Sequence, residues 1–261
     1  MSIPVALSIA GSDPSGGAGI QADLKTFHRH GVYGAAAITL LTVQDTRGVR
    51  RVDVMDPGLV AEQVAGVVED LRPRAAKTGA LGSAAVIDAV AAAAGGFAFP
   101  LVVDPVTVSK HGDPLMPDAD VVRLVERLVP VAAVLTPNVH EAARMTGIPI
   151  DGVDGMVAAA EALRARGAAA VYVKGAGLGK RADDVLVDKK GVHWLRAERI
   201  ETTSLHGTGC VFSAALTARL AKGMPLLDAV WRAKDFVERA IRSAPEVGHG
   251  TGPIDMSVAA D

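Results

Sequence analysis

Apolar and polar residues follow two rhythms along this chain. Short unbroken apolar runs alternate with stretches in which apolar residues return every third or fourth position. The runs read as strands buried on both faces, and the spaced stretches as helices with one buried stripe. Residues 5–10 form the first strand, which stops at Gly11. Asp13-Pro14-Ser15-Gly16-Gly17-Ala18-Gly19 follows as a loop of turn formers. Ile20, Leu24 and Phe27 then recur at helical spacing. Further strands are expected at 35–41, 75–78, 101–104, 131–135 and 170–174, and helices at 59–71, 83–94, 139–146 and 157–166. The 59–71 helix gathers Leu59, Val60, Val64, Val67, Val68 and Leu71 on one side. Segments 184–188 and 192–195 flank Lys189-Lys190-Gly191 as a hairpin. Helices at 209–221 and 226–243 close the pattern, and the Gly-rich polar tail after Gly248 is expected to order only locally.

This alternation predicts an α/β fold, a doubly wound, mostly parallel sheet flanked by helices on both faces, in a single domain over 1–261. Hydrophobic residues make up 49% of the chain, mostly Ala, Val and Leu, which suits helices on a buried parallel sheet. The net charge of −2 and the 3% of aromatics argue against nucleic-acid or acidic-membrane partners. One cysteine leaves no internal disulfide and fits a reducing cytoplasm. Met1-Ser2-Ile3-Pro4 lacks the basic region and long apolar run of a signal peptide, and no apolar run is long enough for a membrane span.

Ligands of such sheets bind beyond the carboxyl ends of the strands. Gly11, Gln44, Thr78, Asp104, Asn138 and Lys174 all fall there, which points to one cleft. His206-Gly207-Thr208-Gly209-Cys210 stands directly before an apolar helix. Its glycines allow a tight turn, and the free N–H groups and dipole of a helix start would converge as an anion pocket with Cys210 at the rim. Taken alone, the run is better read as a glycine turn capping a helix over a buried cysteine; the anion pocket gains ground because other motifs agree. Asp104-Pro105 fits either a water-mediated Mg²⁺ ligand or a turn. Thr136-Pro137-Asn138-Val139-His140-Glu141 reads as a helix cap, with Glu141 also open to serving a metal. Lys174-Gly175 could meet a phosphate, the glycine letting backbone approach a nucleotide, though taken alone a solvated lysine is the better reading. Asp23 and Gln44 could hydrogen-bond a small polar heterocycle or be ordinary surface residues. The seven histidines, His206 among them, lack metal-ligand spacing and read as surface or loop residues. No P-loop is present.

Ser8-Ile9-Ala10-Gly11-Ser12-Asp13, the run from Ser15 through Gly19 to Thr26, Gly31-Val32-Tyr33-Gly34, Thr136-Pro137-Asn138, Val173-Lys174-Gly175 and His206-Gly207-Thr208-Gly209-Cys210 together resemble the hydroxymethylpyrimidine/phosphomethylpyrimidine kinases of the ribokinase superfamily. The resemblance runs in order from Ser8 to about Arg242. It implies a ribokinase-like sheet, ATP and Mg²⁺ as cofactors, and a homodimer. It implies pyrimidine contacts at Gly11, Asp23, Gln44, Ala80 and Val106. Nucleotide contacts would fall at Asn138, Lys174, Gly175 and Gly209, and metal contacts at Asp104 and Glu141. The catalytic set would be Gly207, Thr208, Gly209, Cys210 and Lys174, with Cys210 a thiolate base at a helix start. The implied reaction is ATP-dependent phosphorylation of hydroxymethylpyrimidine and of its monophosphate, a step of thiamine biosynthesis. The sequence departs from the pattern at Lys77-Thr78-Gly79-Ala80-Leu81, where Ala80 replaces a frequent methionine. It departs again at Thr107 in Pro105-Val106-Thr107-Val108-Ser109-Lys110, at Asp45, and in Gly175-Ala176-Gly177-Leu178. The roomier pocket keeps pyridoxal/pyridoxine kinase as the alternative. A non-catalytic pyrimidine sensor is a further one, disfavoured by Asp104, Lys174 and Cys210 all being present.

Overall fold

The computed structural model describes residues 3–109, 112–176, 178–179 and 181–260. Met1, Ser2, Lys110 and Gly177, named above, lie outside that set, as does His111 among the seven histidines. The chain runs β1 (Val5–Ser12), α1 (Gly19–Arg29), β2 (Tyr33–Asp45), β3 (Gly48–Val54), α2 (Pro57–Leu71), β4 (Ala75–Thr78) and α3 (Ala84–Ala94). It continues β5 (Leu101–Val103), α4 (Asp120–Arg127), a 3₁₀ turn (Val129–Val131), β6 (Val134–Leu135), α5 (Val139–Thr146) and α6 (Val153–Ala165). Then come β7 (Val171–Val173), β8 (Asp184–Asp188), β9 (Gly191–Leu195), α7 (Thr208–Ala221) and α8 (Leu226–Arg242).

Among the described residues these strands form one sheet in the order β3-β2-β1-β4-β5-β6-β7-β8-β9. From β2 to β7 neighbours pair parallel, and an antiparallel hairpin edges the sheet on each side. One apolar layer packs α2, α3, α4, α5 and α6 against one face, with Val64, Ile87, Leu124 and Met156 in it. The other face carries α1, α7 and α8 through Phe27, Phe212, Leu216 and Phe236. The expected ribokinase-like, doubly wound architecture is therefore present. The strand order turns back at β1, so the crevice beyond β1 and β4 is the topological switch point. Helix α7 is buried almost all round and lies on β1, β4 and β5, which aims its N-terminus into that crevice.

The differences from expectation have local causes. β1 does not stop at Gly11 but runs to Ser12, with a register shift between Ala10 and Ser12. A side chain at Gly11 would fall 2.5 Å from Leu40 Cδ1, so only glycine fits this bulge. Strand β3 carries no clean apolar alternation, because as an edge strand it is mostly solvated. Helix α4 buries Val121, Leu124 and Val125 at helical spacing, but Ala119 caps it without a side-chain bond, which leaves Asp120 in its first turn as a weak start signal. Pro130 lies in the 3₁₀ turn and shortens the expected 131–135 strand to Val134–Leu135. In α2 only Val60 and Val64 are buried, and Leu59 is 48% exposed. The tail is held more firmly than expected: Ile254 is buried, and Asp255 N–H donates to the Ala240 carbonyl at 2.9 Å. Among the described residues no helix is long and apolar enough to cross a membrane.

Candidate active site

A cleft of about 890 Å³ opens at the carboxyl ends of the parallel strands. Gly11, Gln44, Ala80, Val106, Asp104, Asn138, Glu141, Lys174 and the run Gly207 to Cys210 all line it. Of the strand-end residues expected on one rim, Gly11, Gln44, Asp104, Asn138 and Lys174 line the cleft, whereas Thr78 is buried and does not.

The charged end of the cleft is a tight cluster. Lys174, one residue beyond β7, donates from Nζ to Asp104 Oδ1 at 3.1 Å. Thr136 Oγ1 donates to the same oxygen at 3.2 Å, and Ser213 Oγ donates to Asp104 Oδ2 at 3.1 Å. Burial works against the Lys174 charge, but Asp104 and Glu141 outweigh it and raise its pKa, so the ammonium persists. A side chain at Gly209 would lie 3.3 Å from Lys174 Nζ, so this glycine lets the lysine reach the start of α7. Asn138 and Glu141 form a reciprocal cap on α5: Asn138 Oδ1 accepts from Glu141 N–H at 2.9 Å, and Glu141 Oε2 accepts from Asn138 N–H at 2.8 Å. Burial lifts the Glu141 carboxyl to about 7; the Lys174 charge opposes the rise and the Asp104 charge adds to it.

Helix α7 begins at Thr208, with Gly207 left-handed at its N-cap, no side-chain cap and no acidic residue in the first turn. Its first N–H groups and the dipole therefore face the cleft uncompensated. The second loop, 13–19, packs directly on this start. Asp13 Oδ2 and His206 Nε2 lie 2.7 Å apart, and both residues are 3% exposed. His206 is thus a buried partner rather than a loop histidine. His30 is likewise buried, with Nδ1 2.8 Å from the Thr26 carbonyl oxygen.

Three expectations need correction. Asp23 does not line the cleft. It is fully buried on the sheet side of α1, paired with Lys77 Nζ at 2.8 Å and accepting from Ser8 Oγ at 2.5 Å. Gly175 does not offer its backbone to a ligand: its N–H donates to Asp184 Oδ1 at 2.7 Å, and a side chain there would fall 1.9 Å from the Asp183 carbonyl oxygen. Cys210 is not a low-pKa thiolate. Burial pushes its thiol up to about 12; Lys77 and the Gly19 N–H pull the other way without cancelling it, while Asp23 and Asp104 add to the rise. The helix start alone does not decide the thiol's ionisation when two buried carboxylates stand nearby.

The Asp13–His206 and Lys77–Asp23 pairs escaped the sequence reading. A carboxylate on the apolar stripe of α1, with Ile20 and Phe27, was the available signal for the second. An aspartate opening a glycine loop was the signal for the first.

The comparisons with known proteins fit this geometry. Residues 13–255 match the family described as Phosphomethylpyrimidine kinase. The chain belongs to this family. A hydroxymethylpyrimidine/phosphomethylpyrimidine kinase of Rhizobium meliloti is 49% identical over 255 residues, covering 96% of each chain. The pyridoxal kinase of Bacillus subtilis, solved as an ADP complex, superposes with a TM-score of 0.91 at 38% identity and covers 98% of both chains. A phosphomethylpyrimidine kinase of Clostridium difficile gives a TM-score of 0.82 at 38% identity, over 91% of this chain and 99% of that one. The chain is thus a kinase, a phosphotransferase, with the ribokinase-like fold.

Proposed function

We propose that the chain transfers the γ-phosphoryl group of ATP to the hydroxymethyl group of hydroxymethylpyrimidine, and then to the monophosphate so formed. The observation that carries this reading is the meeting of three things at one rim: the uncapped start of α7, the Lys174 ammonium and the buried carboxylate Asp104. Phosphoryl transfer is catalysed mainly by positioning and by cations and N–H groups facing the moving charge. Lys174 neutralises the ATP phosphates, and the N–H groups of Gly209 and Cys210 hold the transferring group. Gly11, Gln44, Ala80 and Val106 enclose the ring. Asp23 acts from below the cleft through Lys77.

Among the described residues no three His, Cys, Asp or Glu side chains stand close enough to hold a bare metal ion. The donor set nevertheless fits Mg²⁺ held through water and nucleotide oxygens, with the Asp104 and Glu141 carboxylates as anionic support. Such an ion supplies charge neutralisation on the phosphates. Cys210 receives the hydroxyl proton in this reading. Its thiol is protonated at rest, so the small thiolate fraction sets the rate. In this reading the enzyme works in the cytoplasm, which the single cysteine and the use of ATP support, and as the homodimer that the family resemblance implies.

Pyridoxal is the second reading, favoured by Ala80 in the ring end of the cleft and by the Bacillus pyridoxal kinase fold. An ADP-coupled assay with hydroxymethylpyrimidine and pyridoxal, with Mg²⁺ and then with excess chelator, separates the readings. Turnover of the pyrimidine that is lost on chelation is expected. Turnover of pyridoxal alone, or of neither ring, would overturn the assignment.

A further inference from the structure

We propose that Asp13 and His206 are positioning residues, a clamp that holds the starts of α1 and α7 together so that both helix N-termini face the transferring group. The proposal rests on the kinase reading above.

One carboxylate organises the whole contact. Asp13 Oδ1 accepts from the Ser15 N–H at 2.9 Å, and Oδ2 accepts from the Ala18 N–H at 2.8 Å and meets His206 Nε2 at 2.7 Å. The Asp13 N–H donates in turn to Gln21 Oε1 at 2.9 Å, tying the loop to the first turn of α1. His206 is anchored from behind, its N–H donating to the Gly252 carbonyl at 3.0 Å. The two loops touch without room for a methyl group. A side chain at Gly207 would fall 1.8 Å from the Gly17 carbonyl oxygen, and one at Gly17 would fall 2.3 Å from the His206 ring.

Beyond this contact the two helices start side by side, α1 at Gly19 and α7 at Thr208. Neither has a side-chain cap or an acidic residue in its first turn. The Gly19 N–H faces the Cys210 sulfur and the Thr208 N–H donates to the Leu205 carbonyl at 3.4 Å, so it is the next N–H groups of each first turn that can meet an anion. Gln44 Nε2 lies 3.5 Å from His206 Nε2, which connects the clamp to the ring end of the cleft. The Lys174–Asp104 pair reaches the cleft from the ends of β7 and β5 rather than from the clamped loops, and its hydrogen bond to α7 comes from Ser213, beyond the first turn of that helix. Loosening the clamp should thus misplace the transferring group while leaving ATP bound.

The test compares His206→Ala with His206→Gln, whose amide can still donate to Asp13. The Ala variant should lose about 10²-fold in kcat, the cost of a misplacement of about 1 Å. Its KM for ATP should stay within about threefold of wild type. The Gln variant should recover most of the kcat. Cys210 is the sole cysteine, half-buried in the cleft with its sulfur against the Gly19 N–H of the other helix start, so its iodoacetamide labelling rate reports how firmly the two starts are held together, without any substrate. The Ala variant should label at least about 10-fold faster, as local opening becomes more frequent, and the Gln variant near the wild-type rate. If His206→Ala fails to fold, Asp13→Asn provides the same readouts. A folded variant with wild-type kcat and labelling overturns the clamp, as does a rise in KM for ATP at unchanged kcat, or a Gln variant no better than Ala. If wild type phosphorylates no pyrimidine, the kinase reading fails and the labelling arm alone still decides the clamp.

Discussion

Two lysines stand at the ends of parallel strands in the same sheet, and each pairs with an aspartate. Lys77, next to last in β4, meets Asp23 at 2.8 Å, with both side chains 0% exposed. Lys174 follows β7 and meets Asp104 at 3.1 Å, with its side chain 18% exposed to the cleft. Burial opposes both charges, and the partner aspartate restores them in each case. The difference is access. No ligand can reach the sealed pair, so its charge acts at a distance on what lies above it, Cys210 included. The open pair can trade part of its carboxylate contact for a phosphate. One residue pairing thus serves two ends: a charged floor under the site, and a movable cation inside it.

The largest expected effect breaks the sealed pair. Lys77→Met leaves Asp23 buried and uncompensated, which should cost about 3–5 kcal/mol of stability in a denaturant titration. Lys77→Met with Asp23→Leu should recover most of that, because an apolar pair of similar volume replaces both charges. A single variant as stable as wild type would show that the pair is not a closed unit.

Next in size is Cys210, which feels both pairs. Cys210→Ala should lower kcat by about 10²-fold, the range for losing a proton acceptor. With the thiol near 12, wild-type kcat should still be climbing at about pH 9, and the climb should vanish in the variant. An alkaline plateau in wild type, or an unchanged kcat in Cys210→Ala, would remove the thiol from the proton step.

A smaller effect lies at the edge of the open pair. Glu141 is lifted from 4.5 to about 7 in the fold, so the folded state holds its proton more tightly than the unfolded chain does. Stability from this group is complete below about 4.5 and is lost as pH rises to about 7. Glu141→Gln keeps an acceptor for the Asn138 N–H and should flatten the melting temperature between those limits. An equal slope in both proteins would mean that another group titrates there.

The open pair was legible in the sequence and the sealed one was not. Asp104, Asn138 and Lys174 each follow a short apolar strand, and the switch-point rule places such residues on a shared rim without further information. Cys210 and its glycines were legible as a helix start, but not the thiol's ionisation, which depends on Asp23 and Asp104 from distant parts of the chain. Asp23 read as a ring contact because a carboxylate after a glycine loop has no other obvious duty. Its place on the buried stripe of α1 decided otherwise. Strand β3 was hidden because an edge strand carries little of the apolar alternation that marks a buried one.

The most direct test of the two-lysine account is calorimetric titration with a non-hydrolysable ATP analogue. Three proteins are compared: wild type, Lys174→Met, and the double variant Lys77→Met with Asp23→Leu. Thr136 and Ser213 still donate to Asp104 in Lys174→Met, so that protein is expected to fold. The account predicts binding weakened at least about 10-fold in Lys174→Met, the loss of about one charge-assisted contact, and unchanged within about twofold in the double variant. Equal affinities in all three proteins, or a loss confined to the double variant, would contradict it.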